Sequence, residues 1–178
     1  TLNEGLLMQL LIRETADVCQ KLYLLNRYLD NTMGTFFHQI MYAHFELLIH
    51  EEVEKGGALS PDLMTQLWGD YLQKYFGPDL TVDESSKLKW ARIPHFYNMF
   101  YVYQYATSYA ASEMILGKFL SGEKDIVSRY LEMLSSGGKD HPIELLKICG
   151  VDMTKPEPVM ATLKRFSEQV AEVNRLTS

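Results

Sequence analysis

The chain has 178 residues, of which 47% are apolar and 22% charged, with a formal net charge of −6 at pH 7. That length suits one domain with a real core and no need of metal or disulfide support. The acidic balance argues against a nucleic-acid partner, since a phosphate backbone calls for a basic face. Mean hydropathy is −0.14, and no apolar run approaches the roughly 20 residues a membrane-spanning helix requires. The two cysteines, Cys19 and Cys149, are too few for a disulfide scaffold and fit a reducing, cytoplasmic setting.

Taken in chain order, the predicted elements are almost all helical. Leu6, Leu7, Leu10 and Leu11 recur at helical spacing between Leu2 and about Ile12. That early helical character, with no initiator methionine, carries the expectation that something precedes Thr1. A second helix runs from near Ala16 toward Leu29, Asp30-Asn31 predicts a break, and a long helix follows from about Thr32 to Lys55, where Gly56-Gly57 ends it. Ser60-Pro61-Asp62 is a start signal: a capping hydroxyl, a proline at the first helical position and an acid in the first turn. Gly77-Pro78 stops that helix, and Asp79–Asp83 reads as an extended connector. An aromatic segment leads from Trp90 through Pro94 into a helix ending near Leu120. Helices are further predicted over Glu123–Leu134, from Asp140-His141-Pro142 to Gly150, and from Pro156 to about Leu176. No strand alternation is sustained, so the fold class is all-α, multi-helical, one domain over residues 1–178.

Most motif-like features carry ordinary readings. His50-Glu51-Glu52-Val53-Glu54 resembles the zinc-binding HExxH pattern, but Glu54 stands where the second histidine is needed. It reads as the solvated end of an amphipathic helix. His38, His44 and His50 are six residues apart, which at about 100° per residue points them in separate directions. They cannot share one metal, although Glu46 and Glu51 lie beside them. Cys19 and Cys149 lack a neighbouring base or a CxxC partner, which favours packing.

The distinctive stretch is Ala91–Ala111, in which seven aromatic rings crowd behind His95. Tyr97, Tyr101, Tyr105 and Tyr109 recur at i+4 and would form one helical stripe. His95, just after Pro94, sits at the helix entrance. Imidazole and phenol groups there can donate to a ligand oxygen. On spacing alone, the cluster fits a core as well as it fits a binding surface.

Trp90-Ala-Arg-Ile-Pro-His-Phe-Tyr97 and Phe100-Tyr-Val-Tyr-Gln-Tyr-Ala-Thr107 resemble the signature of the oligoendopeptidase F family, relatives of thimet oligopeptidase. Thr1–Leu7, Lys21–Asn26, Phe37–Glu46, Tyr75–Asp79, Tyr130–Gly138 and Gly150–Pro158 agree in the same order. The resemblance implies a zinc metallopeptidase that cuts short peptides in a channel between helical halves. It also implies that this chain is the C-terminal portion of a longer catalytic domain. Zinc would belong to the intact parent, with ligands upstream of Thr1 and no metal held by this chain alone. Glu4 then corresponds to an acid that supports the site rather than coordinating. The carry-over makes His95 a donor to the substrate carbonyl, Tyr101 and Tyr103 candidates for oxyanion stabilisation, and Tyr97 a channel-wall residue. The partners implied are short peptides and the upstream part of the same polypeptide, with self-association through apolar surface as a further expectation. The competing function is a stand-alone helical module that binds peptides in its aromatic groove without hydrolysing them.

Overall fold

The computed structural model describes residues 1–178, and its elements are helical throughout. Helix α1 spans Leu2–Glu14, α2 Val18–Thr32, α3 His38–Glu54, α4 Pro61–Phe76, α5 Glu84–Lys87, α6 Tyr103–Leu120, α7 Ile126–Ser135, α8 Pro142–Ile148 and α9 Glu157–Thr177. The chain forms two compact units, one made of residues 1–36 and 107–178, the other of residues 37–106. The predicted single domain thus has a finer division that helical periodicity could not reveal.

The local start and stop signals behave as their chemistry dictates. Ser60 Oγ accepts from Leu63 N–H at 3.1 Å, and Pro61 opens α4. Gly77 closes it at φ 77°, a left-handed conformation that costs a glycine little. Asp83 caps the short α5 by accepting from Ser86 N–H at 2.6 Å, where an extended connector was expected to lead on. Pro142 likewise opens α8.

Two predicted boundaries differ. Asp30 and Asn31 remain helical, and α2 passes into a π-helical turn over Met33–Phe37 before α3 begins. Thr32, which is buried, returns its hydroxyl to the Tyr28 carbonyl at 3.0 Å, so its polar group is satisfied within the helix. The aromatic helix also starts later than expected, at Tyr103. Before it lie two 3₁₀ turns, Lys89–Arg92 and Pro94–Tyr97. Pro94 forces Ile93 into extended backbone (φ −95°, ψ 98°), which interrupts any continuous helix there.

In the unit of residues 37–106, the core gathers Met41, Phe45 and Ile49 of α3 around Trp68 and Leu72 of α4. Phe45 meets the Trp68 ring edge-on at 5.1 Å. In the other unit, α1 and α6 pack around Leu2, Ala111, Ile115 and Leu116, with Ile126, Cys149 and Val151 closing the cluster. Gly5 lets α1 approach α6 closely, since a Cβ there would stand 3.3 Å from Leu116. A second cluster joins Ile12, Leu25 and Tyr28 with Val173 and Leu176 of α9.

Candidate active site

The aromatic segment folds into a site within the unit of residues 37–106. Asn98 leaves the second 3₁₀ turn in extended backbone, and its carbonyl accepts from Tyr101 N–H at 2.9 Å, closing a tight turn over Asn98–Tyr101. Phe100, the third residue of that turn, has φ 52°, the place where a type II turn normally holds glycine. For a phenylalanine that conformation costs on the order of 1 kcal/mol, so the surroundings must hold it. Two residues of α3 do so. Glu46, only 1% exposed, accepts from Phe100 N–H through Oε1 at 2.8 Å, and the His50 ring lies 4.6 Å from the Phe100 ring. Glu46 and His50 are i and i+4 on one helix, so a single face grips both the backbone and the side chain. Beyond the turn, buried Val102 anchors the chain where α6 begins.

The turn brings three polar aromatic groups together. His95, half-buried, stacks on the Tyr101 ring at 5.9 Å with planes 7° apart. Tyr105, on the first turn of α6, meets both rings edge-on, at 5.6 Å from His95 and 5.5 Å from Tyr101. Its hydroxyl lies 3.3 Å from His95 Nε2 and 3.4 Å from the Tyr101 hydroxyl. With Tyr105 donating to Tyr101, its oxygen accepts from a His95 Nε2–H, and the Tyr101 proton remains available to a further acceptor. The bond to Tyr101, followed by partial burial, holds the Tyr105 phenol above its ordinary range. Such a chain of donors is suited to an oxygen on which negative charge develops.

Of the residues singled out in the sequence, His95 and Tyr101 (39% exposed) meet directly. Tyr103 (52% exposed) and Tyr97 (87% exposed) stand on the surface of the same segment. The expected four-tyrosine stripe does not form on one helix, because Tyr97 and Tyr101 precede α6. Tyr109 is buried in the other unit, with its hydroxyl 2.7 Å from Thr32 Oγ1. Sequence reasoning did not assign roles to Tyr105 and Glu46. The i+4 relation of Tyr105 to Tyr101 was the available signal for the first. For Glu46 it was an acid set inside the apolar run Phe45–Ile49.

The histidines of α3 serve packing. His38 lies against Tyr42 and Phe76, and its burial lowers its proton affinity. His44 Nδ1 is 3.4 Å from the Tyr75 hydroxyl. No three His, Cys, Asp or Glu side chains converge as metal ligands, so the residues of this chain do not fit a zinc ion. Glu54 extends from the end of α3, and Glu51 pairs with Lys55 at 3.3 Å, which is the solvated helix end expected of that stretch.

The chain is 44% identical over 176 residues to Oligopeptidase PepF of Bacillus subtilis, covering 99% of this chain and 26% of that protein. It is 38% identical to an oligoendopeptidase F homolog of Borreliella burgdorferi, over 98% of this chain and 30% of the relative. The crystal structure of oligoendopeptidase-F from Enterococcus faecium superposes with a TM-score of 0.95 at 36% identity, over 99% of this chain and 34% of that one. The chain therefore spans about a quarter to a third of the length of these relatives. Residues 1–165 match the model of peptidase family M3, and the chain belongs to that family.

Proposed function

We propose that residues 1–178 form the C-terminal helical portion of a cytoplasmic zinc-dependent oligoendopeptidase acting on short peptides, and that they supply its substrate-facing wall. The observation that carries this reading is the half-exposed trio of His95, Tyr105 and Tyr101 in a chain of this family. Tyr101 donates to the oxyanion that forms at the scissile carbonyl. Tyr103, exposed on the next turn of chain, is the alternative donor for the same oxygen. His95 donates to the substrate carbonyl, and Tyr97 lines the channel wall. Zinc belongs to the longer protein and is held there by residues outside this chain, a reading supported by membership of peptidase family M3. Leu7, Leu10 and Leu11 leave an apolar face on α1 exposed, which supports its being covered by the upstream part of the polypeptide or by self-association.

Zinc analysis and peptide hydrolysis, run side by side on this chain and on the longer protein, test the reading. The expected result is neither bound zinc nor turnover for the chain, and both for the longer protein. Stoichiometric zinc with hydrolysis by the chain alone would overturn it. Peptide binding without turnover by the longer protein would leave a non-catalytic peptide-binding module instead.

A further inference from the structure

We infer that Glu46 is a positioning residue for the His95–Tyr105–Tyr101 trio, acting through the Phe100 backbone; this rests on the oligopeptidase reading above. Three observations point the same way. Glu46 is a buried carboxylate on the core-facing side of α3, and its Oε1 takes the one backbone N–H that fixes the centre of the Asn98–Tyr101 turn. Phe100 holds a positive φ that a phenylalanine does not choose unaided. The residue after it, Tyr101, is the one whose hydroxyl ends the donor chain.

Releasing Phe100 N–H allows its φ to return to the ordinary negative region, which swings the peptide leading into Tyr101. The Tyr101 ring then leaves its stack on His95, and the Tyr105 hydroxyl loses its acceptor. Glu46 itself touches no substrate. Its carboxylate is a fixed reference in α3 from which the turn, and through it the phenol, is placed. The contact of His50 with the Phe100 ring adds a second hold from the same helix face, but on the side chain rather than the backbone.

The test compares Glu46→Leu, which removes the acceptor while keeping the site filled, with Glu46→Gln, which keeps an acceptor oxygen and removes the charge. Histidine-selective labelling of the 178-residue chain gives one imidazole signal for each of its five histidines. The His95 signal, assigned with His95→Gln, carries the ring-current displacement of its stacked and edge-on tyrosines. Glu46→Leu is expected to collapse that displacement and to move His50, leaving His38, His44 and His141 in place, whereas Glu46→Gln preserves the His95 position. In the longer peptidase, Glu46→Leu lowers kcat about 10²-fold, the cost of a misplacement near 1 Å, with KM and zinc content unchanged, and Glu46→Gln recovers most of it. A His95 signal unmoved in a folded Glu46→Leu chain overturns the inference and leaves the peptidase reading untouched. Collapse in Glu46→Gln equal to that in Glu46→Leu also overturns it, by assigning the effect to charge. Should the longer protein hydrolyse no peptide at all, the imidazole signals still decide the positioning role.

Discussion

Tyr28 of α2 donates its hydroxyl to Glu113 of α6 at 2.7 Å, across 85 residues of chain. Arg165 of α9 pairs with the same carboxylate oxygen at 2.7 Å, so one buried acid, 3% exposed, ties three helices of its unit together. A charge at that depth is tolerated only while its partners are in place. Burial raises the Glu113 carboxyl above its ordinary range, against the pull of Tyr28 and Arg165.

Tyr28→Phe removes one hydrogen bond to a charged group without changing the shape of the ring. The expected loss is about 1.5–3 kcal/mol of unfolding free energy, measured by urea denaturation of the chain. Glu113→Ala should cost more, since it strands the Arg165 guanidinium as well.

Glu113 also sets a pH dependence. Its folded carboxyl holds a proton more tightly than the unfolded one, so its contribution to stability is complete below the unfolded value near 4.5. That contribution is lost as pH rises through the elevated folded value. The melting temperature of the wild type relative to Glu113→Gln should therefore fall as pH is raised from the acid side. A difference that stays flat with pH would show that Glu113 does not titrate differently on folding.

The alkaline side follows from Tyr109. Burial, reinforced by the nearby Glu113 charge, pushes its phenol up to about 12, and Tyr28 is raised further for the same reasons. Both stabilise the fold below the ordinary tyrosine value of 10, and that advantage is lost progressively as pH rises above 10 through their raised folded values. Ultraviolet titration should show a late-ionising group that appears only on alkaline unfolding. Tyr109→Phe should shrink that late group.

Removing one oxyanion donor typically costs on the order of 10²–10³ in turnover. In the longer peptidase proposed above, Tyr101→Phe is expected to lower kcat by that order with zinc content unchanged, and Tyr103→Phe tests the alternative donor. Wild-type turnover in both variants would remove phenol stabilisation from the mechanism. Tyr105→Phe should have a smaller effect, because it disconnects His95 from Tyr101 without removing the terminal hydroxyl.

The two thiols should behave differently toward iodoacetamide. Cys19 is exposed on α2, whereas Cys149 is fully buried, 3.6 Å from the Met133 sulfur, with its thiol raised by burial. Mass spectrometry of the native chain is expected to show one modification, at Cys19, and a second only after denaturation.

Where the sequence held local chemistry, it was readable. Ser60-Pro61, Gly77 and Pro142 mark real helix limits because caps and left-handed glycines depend on neighbouring residues alone. The aromatic segment announced its composition but not its path. Pro94 diverts the backbone before α6, and the Phe100 conformation is held by Glu46, 54 residues away, which no window along the chain can see. Asp30 and Asn31 carry turn propensity that α2 overrides, since the helix runs on past them into the π-helical turn. The oligoendopeptidase F resemblance supplied His95, Tyr97, Tyr101 and Tyr103 as candidates. Only the fold added Tyr105 and Glu46.

Both indoles of the chain, Trp68 and Trp90, fall within residues 37–106, where they donate to the Ser86 carbonyl at 3.0 Å and the Thr65 hydroxyl at 3.2 Å. Emission excited at their red edge is therefore a private signal of that unit, blind to melting in residues 1–36 and 107–178. A calorimetric transition with no fluorescence counterpart would belong to the silent half.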